Sequence, residues 1–422
     1  MENKRELACD VAVIGGGPAG MLAAITAAKG GAKVILVEKN KTLGKKLLIT
    51  GGGRCNVTNA TFDNRALAQK YGKKGKFLLS PFSKWSASDT INFFESRGML
   101  TKTEAENRVF PQSNTAQSVW DVLVREIKNS GVKVLAGFPV VKIKSSKNVV
   151  VNVETKDAII SAKTFVFTTG GTARPETGSS GDGFKWCALL GHTIRTPDVA
   201  LVPVKIQEPW VKQMQGLSLA NVGITLIENS VKRDTKIGKI LFTHFGLSGP
   251  LVLNMSQTIG EALREGPVSL NLDLFPSIDQ TLLDEKLLSY LSKAQNKKWI
   301  NALSGFIPPR LAKIIIELAG EDPEIFVNKL PRTSRLATVK LLKNLTLTPT
   351  GLLAAEKAIV SSGGVALAEI DFKTMRSMKI ENLYLAGDIL DFDRPSGGFS
   401  LQICWTTGFI AGNNAGGNPQ IY

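Results

Sequence analysis

Val11-Ala12-Val13-Ile14-Gly15-Gly16-Gly17-Pro18-Ala19-Gly20 is the stretch whose reading decides the fold. Four apolar residues predict a strand and the glycines a tight turn. The small residues that continue through Ala23, Ala24, Ala27 and Ala28 predict a helix packed closely against that strand. In such a unit Gly15 permits the turn, Gly17 lets the backbone approach a pyrophosphate, and Gly20 allows close helix–strand packing. The helix start at Pro18-Ala19 presents free N–H groups and the positive end of a dipole. A second strand over 33–37 leads into Glu38, eighteen residues beyond Gly20, where a carboxylate accepts hydrogen bonds from ribose hydroxyls. Glycine-rich turns also serve ordinary packing, so the motif alone decides little. Strand, helix, second strand and acid together predict a dinucleotide-binding unit.

Three further glycine-rich segments extend this reading. Gly51-Gly52-Gly53-Arg54-Cys55-Asn56 follows about thirty residues after the first motif. Thr164-Phe165-Val166-Phe167-Thr168-Thr169-Gly170-Gly171 reads as a buried strand ending in a glycine turn, where the backbone can again pass close to a cofactor. Near the C-terminus Leu383-Tyr384-Leu385-Ala386 runs into Gly387-Asp388, and Pro395-Ser396-Gly397-Gly398-Phe399-Ser400 precedes a helix from Ile403 toward Gly412. There Asp388 can bind a ribityl hydroxyl, and Gly397 and Gly398 can expose N–H groups where reduced flavin carries negative charge. Alone, these are a capping acid and a glycine turn; together they point to a flavin.

The 422 residues, 43% of them hydrophobic, are enough for a large core and for two or three domains. Charges in the first six residues and the lack of a long apolar run argue against a signal peptide or a membrane span, and the expected location is cytoplasmic. Four scattered cysteines and two histidines argue against a metal centre or a disulfide framework. The formal charge of +16 favours a polyanionic partner, and nucleic acid is the obvious one; solvated basic faces are the plain alternative. Clusters fall at Lys39, Lys41, Lys45 and Lys46, at Lys73, Lys74 and Lys76, at Lys142, Lys144 and Lys147, at Lys232, Arg233, Lys236 and Lys239, and at Arg332, Arg335, Lys340 and Lys343.

Helices are expected over 83–98 and 115–130, followed by runs at 133–136, 140–144 and 149–154 that read as an antiparallel meander of the kind glutathione-reductase-like flavoproteins carry. The expected architecture is α/β: a glutathione-reductase-like Rossmann domain from 1–192 and 371–422, an inserted β-barrel-like domain from 193–276 and 346–370, and a small helical subdomain from 277–345.

Gly51 through Asn59, Thr169-Gly170-Gly171, Phe242 through Pro250, Ser362-Gly363-Gly364-Val365 and Gly387 through Gly398 resemble the bacterial NAD(P)/FAD-dependent oxidoreductases that include aminoacetone oxidase-like proteins, over nearly the whole chain. The resemblance implies FAD, with small-amine oxidation, reduction of C=C bonds in bile-acid intermediates and dihydrouridine formation in 23S ribosomal RNA as associated activities. That family usually has Glu, Tyr and Asn where this chain has Asp388, Phe399 and Ser400, which removes the tyrosine hydroxyl from consideration.

A flavin reductase needs a group that polarises the acceptor and a proton donor. Arg54, Cys55 and Asn56 are the first candidates, to hold an anionic or carbonyl-bearing substrate or the pyrimidine edge, to donate a proton and to hydrogen-bond the ring. For Cys55 a packing role is the stronger reading. His244 is a candidate acid or base, with a structural role equally open. Gly15, Gly17, Pro18, Ala19, Gly20, Glu38, Gly52, Gly53, Arg54, Thr169, Gly170, Gly171, Gly387, Asp388, Gly397, Gly398, Phe399 and Ser400 form the expected cofactor set, with Lys39, Lys46 and Val141 added to it and Lys45 a neighbour of the phosphates. Gly178-Ser179-Ser180-Gly181-Asp182-Gly183 lacks the order of a second dinucleotide motif, so the expectation is NAD(P)H as a transient donor, with another electron source as the alternative. The preferred expectation is a reductase of uridine in 23S ribosomal RNA, hydride going to C6 and a proton to C5. Against it stand a small-molecule oxidase or dehydrogenase acting on an amine or a steroid-like enone, and a flavin-containing RNA-binding factor without turnover.

Overall fold

Strand β1 (Arg5–Ile14) is exposed where it begins and buried from Val11 onward, where sheet neighbours flank it on both sides. The structure, a computed structural model, describes residues 4–195, 199–200, 202–353, 360–361 and 363–417. From β1 the chain turns at Gly15 into helix α1 (Pro18–Lys29), which has Gly17 at its N-cap, Pro18 at its first position and Gly30 at its C-cap. Strand β2 (Val34–Glu38) follows, buried along its length and parallel to β1.

The sheet grows from this βαβ unit in both directions. Helix α2 (Ala116–Asn129), capped by Thr115, leads to β3 (Lys133–Ala136), which lies parallel to β2. Next come β4 (Val140–Ser146), β5 (Val149–Thr155) and β6 (Ala158–Phe167). Here the structure corrects the expected meander. The run at 133–136 is an edge strand of the parallel sheet, and the antiparallel meander is β4–β5–β6, with β6 itself parallel to β1. Alternation of apolar and polar residues marks a half-covered strand, and says nothing of its direction. A short helix, α3 (Asp182–Leu189), follows the glycine turn after β6.

At the other end of the chain β7 (Leu383–Leu385) joins β6 in parallel, as expected, giving the parallel order β7-β6-β1-β2-β3. It feeds the final helix α4 (Phe399–Ala415), which is longer than the expected run from Ile403. Almost every residue of α4 is buried, and it packs on α1 through small residues: Gly408, Gly412 and Gly416 sit over Ala19, Ala23 and Ala27. Cβ atoms at these glycines would come within 2.5, 2.2 and 3.2 Å of α1 backbone atoms. The alanine-rich face of α1 thus serves two contacts, one with the sheet and one with α4. The helix expected over 83–98 is two pieces, Leu79–Lys84 and Ala87–Glu95, separated at Trp85 and restarted by a capping box of Ser86 and Asp89.

The chain forms two compact units, 1–199 with 355–422, and 200–354. In the second, strands Leu345–Leu347, Val268–Asp273, Ser218–Glu228, Val231–Thr243, Gly246–Ser248, Val204–Ile206 and Pro349–Leu352 make one antiparallel sheet in that order. Strands 268–273 and 349–352, well separated in the order, approach each other, so the sheet curls in a barrel-like way around helix Pro250–Glu265. Segment 277–345 is helical as expected, but it is not a unit of its own. Leu283, Trp299 and Ile315 share one core with Leu270 and Leu272 of the sheet. The other boundary also shifts: Gly364–Val365 pairs with Ile194–Arg195 inside the first unit. Among the described residues no helix is long and apolar enough to cross a membrane.

Candidate active site

A cleft of about 910 Å³, its open mouth included, runs along the C-terminal ends of β1, β2 and β6. This is where ligands bind in an open parallel sheet. Its floor is the Gly15–Ala19 turn, and its walls come from Glu38 to Asn40, Gly44 to Lys46, Phe138 to Val140, Thr168 to Gly170, Thr177 to Asp182, and Asp388. The expected Gly15, Gly17, Pro18, Ala19, Glu38, Lys39, Lys46, Thr169, Gly170 and Asp388 all line it.

The turn is shaped by contacts that only glycine tolerates. Gly15 has φ +109, and a Cβ there would lie 2.6 Å from the Thr168 carbonyl oxygen. A Cβ on Gly20 would lie 1.9 Å from the Gly15 carbonyl oxygen. Gly17 differs, since a Cβ on it would meet no protein atom within 4 Å and would project into open space. Gly17 therefore has no packing reason to be glycine, and it leaves the start of α1 bare. Glu38 closes the turn: its carboxylate accepts from Gly16 N–H at 2.7 Å and from the backbone and side-chain N–H groups of Asn40 at 2.7 and 2.8 Å. An ionised carboxylate has about four acceptor positions, so capacity remains for a hydroxyl. Thr169 Oγ1 is buried and has no protein partner.

Charge around the cleft is arranged in pairs. Lys39 Nζ meets Asp182 at 3.0 Å and Ser180 Oγ at 2.5 Å, and Lys46 Nζ meets Asp388 at 3.1 Å. Lys45 Nζ donates to the Glu176 carbonyl oxygen at 2.7 Å. The Ser180 hydrogen bond, reinforced by Lys39, holds the Asp182 carboxyl below its usual range. Burial pushes the Asp388 carboxyl up, but Lys46 and Arg394 together outweigh burial and hold it below its usual range as well. A diphosphate entering here would meet three lysines and a free helix start. With Glu38 placed for a ribose and Asp388 for a polyol, the residues present fit FAD.

Other expected residues stand off the cleft. Val141 is 61% exposed, and Val140 lines the cleft in its place. Strand side chains alternate between faces, and a register shift between Val140 and Lys142 leaves Val141 on the outer one. Gly20 and Gly387 act by packing: Cβ atoms on them would lie against Gly15 and Ala19. Gly171 lies outside the lining too.

The segment Gly51–Asn59 proves to be a clamp on the C-terminal glycine turn. Gly51, Gly52 and Gly53 all take positive φ, and Cβ atoms on Gly52 or Gly53 would meet nothing, so this loop offers bare backbone. Its side chains are committed elsewhere. The Arg54 guanidinium pairs with Glu104 at 2.5 Å, donates to Asn114 Oδ1 at 2.6 Å and lies over the Phe110 ring at 4.2 Å. Asn56 bridges strands and turn: in the amide orientation that suits its neighbours, Nδ2 donates to the Thr58 and Val109 carbonyls and Oδ1 accepts from Gly398 N–H at 3.0 Å. Asn59 Nδ2 donates to the Gly397 carbonyl at 3.1 Å. Gly398, at φ +95, leaves a would-be Cβ 2.4 Å from Thr58 backbone atoms. Arg54 and Asn56 are thus positioning residues, and Asn56 holds the start of α4.

Cys55 is completely buried in the core, at φ +59, and burial pushes its thiol up to about 12. It has no route to a substrate, so the proton-donor role is withdrawn. Phe399 is also buried, edge-on to Tyr71, whose hydroxyl donates to the Phe399 carbonyl at 2.9 Å. Ser400 Oγ is buried without a partner at the first turn of α4. His244 belongs to the second unit, at an exposed hairpin turn, its ring edge-on to Phe245. Asn40, Ser179, Ser180, Asp182 and Trp186 line the cleft unannounced by the first motif. For Ser179, Ser180 and Asp182 the signal was the glycine-rich run 178–183, which lines the same cleft as the first motif; Asn40 and Trp186 had none.

The HI0933-like protein Rossmann domain matches residues 9–414. The chain belongs to the HI0933-like family. It is similar to 3-dehydro-bile acid delta(4,6)-reductase of Clostridium scindens, with 30% identity over 97% of this chain and 99% of that protein. It is also similar to the ribosomal RNA dihydrouridine synthase of Escherichia coli, with 27% identity over 94% and 96%. Among solved structures it shares its fold with 3-ketosteroid-delta4-(5alpha)-dehydrogenase of Rhodococcus jostii (TM-score 0.55, 15% identity, 99% of this chain and 98% of that one). A flavocytochrome c3 fumarate reductase in its open conformation shares it as well (TM-score 0.54, 18% identity, 98% and 79%). This HI0933-like chain is an FAD-dependent oxidoreductase with a Rossmann-type cofactor domain.

Proposed function

We propose that this HI0933-like protein reduces a C=C bond conjugated to a carbonyl group, with uridine in ribosomal RNA as substrate and NAD(P)H as electron donor. Both relatives named above reduce such bonds by name, one in a bile acid and one in uridine, so the reaction type is common ground and the acceptor is what distinguishes them. One observation carries the choice of RNA: a formal charge of +16, with runs of exposed cations such as Lys70, Lys73 and Lys76 that no carboxylate neutralises among the described residues. A bile acid has one carboxylate to match, whereas RNA offers a phosphate at every residue.

Saturating uracil takes a hydride at C6 and a proton at C5. Bound FAD supplies the hydride chemistry. The chain's own part is to hold the cofactor through Glu38, Lys39, Lys46 and Asp388, and to fix the start of α4 through Asn56 and Asn59. Asn56 takes up the Gly398 N–H, and the N–H groups of the first turn beyond it favour negative charge. Cys55 is buried, which leaves the proton at C5 to water or to an exposed acid such as His244.

Nucleoside mass spectrometry on unmodified 23S ribosomal RNA, incubated without oxygen with the holoprotein and NADPH or NADH, tests this. Dihydrouridine above a no-enzyme control is expected. Reduction of a steroid-like enone in the same assay, with RNA untouched, would select the second reading, which the 30% identity to the bile-acid reductase favours. Hydrogen peroxide formed with an amine in air would point to an oxidase.

A further inference from the structure

Residues 64–84 fold into three short helical pieces, Asn64–Gln69, Gly72–Leu78 and Leu79–Lys84. The first two pack backbone to backbone, because Gly75 has no side chain: a Cβ there would lie 1.9 Å from the Ala68 carbonyl oxygen. Between them runs a second groove of about 600 Å³, including its open mouth, with Ala68, Gly72 and Gly75 on its floor. Three cations stand on its rim, Arg65, Lys73 and Lys76, and all are exposed. Among the described residues none of the three has a carboxylate partner. The segment itself holds no acid, and Asp63, just before it, caps the first helix through Ala66 N–H. Phe62, just before that cap, is 60% exposed.

The inner face of the same segment supports the cofactor domain. Tyr71 holds the Phe399 carbonyl, and Lys74 turns inward to Asp391 at 2.7 Å and Asp393 at 3.2 Å. One element therefore braces the chain leading into α4 on its inner side and presents unneutralised charge on its outer side. Packing explains Tyr71, Lys74 and Gly75. It does not explain three cations gathered around a small-residue floor, which costs repulsion unless an anion relieves it.

Building on the RNA reading above, we infer that this groove grips the phosphate backbone of a single-stranded RNA segment, and that Phe62, one residue before the Asp63 cap of the first groove helix, offers a ring on which a base can stack. A narrow floor of small residues admits a backbone, cations on its rim meet successive phosphates, and an exposed aromatic ring accepts any base. Single-stranded RNA suits the chemistry too, because the face of a uracil inside a duplex is covered by its stacked neighbours.

The test measures binding of a fluorescein-labelled, uridine-containing single-stranded RNA to the holoprotein by anisotropy over a range of salt. The triple variant Arg65→Gln, Lys73→Gln, Lys76→Gln is compared with Lys142→Gln, Lys147→Gln, Lys156→Gln, which removes the same charge from other exposed positions. Retained FAD and an unchanged melting temperature establish that both fold. Each phosphate contact on a single strand contributes about 0.7 to the slope of log K against log salt, so loss of three should flatten it by about 2 and weaken binding roughly tenfold or more at moderate salt. The control triple should change the slope by less than about half that. Equal losses in both variants would reduce the groove to diffuse charge and overturn the assignment. Wild-type protein that forms dihydrouridine and binds RNA no better than the groove variant does would overturn the groove while leaving the RNA reading intact. A wild type that neither binds RNA at low salt nor forms dihydrouridine would remove both.

Discussion

Gly412 of α4 lies over Ala23 of α1 so closely that a Cβ on the glycine would come within 2.2 Å of the Ala23 carbonyl oxygen. Two effects oppose each other when Gly412 is replaced by alanine. Helix propensity favours alanine by about 1 kcal/mol. Contact with rigid backbone forces the two helices apart, and overpacking of this kind costs roughly 1–3 kcal/mol or more. The second should win, so Gly412→Ala should lower the melting temperature of the holoprotein, and Gly408→Ala, at 2.5 Å from Ala19, should do the same. Calorimetry showing a raised melting temperature for either variant would mean that α1 and α4 are not in contact as described.

Glu38 provides a second prediction. All its described partners are N–H donors, from Gly16 and Asn40. Glu38→Gln turns one acceptor oxygen into a donor that faces another donor, and a mismatched buried hydrogen bond costs about 1–3 kcal/mol. That mismatch weakens the chain with or without FAD; the ribose hydroxyl in addition loses a bond to an ionised acceptor, worth about 1.5–3 kcal/mol, so FAD affinity should fall by roughly 10- to 100-fold, read by titrating the apoprotein with FAD and following flavin fluorescence. Unchanged affinity would remove Glu38 from the cofactor site.

How much of this was legible in advance follows from where each partner lies. Gly15, Gly17, Gly20 and Glu38 work through their own backbone or within one βαβ unit, so their spacing announces them. The return of β7 to the first sheet was legible from its apolar run and the Gly387-Asp388 that ends it. Arg54 and Asn56 were noticed but misread, because the groups that engage them, Glu104, Asn114 and Gly398, are 50 to 342 residues away and no local pattern encodes that pairing. Val140 and Val141 are chemically alike, so only the bulge between β4 and β5 decides which one faces the cleft. The helices of 277–345 looked separate because periodicity reports a helix and not the core it enters.

Asn56 gives the prediction that separates a clamp from a ring contact. In Asn56→Asp the Nδ2 donor that faces the Thr58 and Val109 carbonyls becomes an oxygen, so acceptor meets acceptor in a half-buried place. We expect a stability loss of about 1–3 kcal/mol in both apoprotein and holoprotein, because the clamp is a property of the chain itself. A variant that melts like wild type as apoprotein but loses stability only when FAD is bound would show instead that Asn56 acts on the flavin.

Cys55 offers a prediction in pH. Its thiol rises from a usual value of 9.0 to about 12 because burial disfavours the thiolate. An acid whose pKa is higher in the folded state keeps its proton there while the unfolded chain loses it. The stability tied to the protonated form is therefore complete below pH 9 and is lost progressively as pH rises from about 9 toward 12. Denaturant melts of wild type and Cys55→Ala from pH 8 to pH 11 should show a shallower alkaline decline in the variant. The same variant decides the chemical question. Removal of a general acid costs about 10²–10⁴ in rate, whereas trimming a packed sulfur does not touch the proton transfer. Turnover of Cys55→Ala near the wild-type value at pH 7.5, with the thiol of the wild type slow to alkylate until the chain unfolds, is the expected result. A loss of 10² or more with FAD still bound would return Cys55 to the reaction.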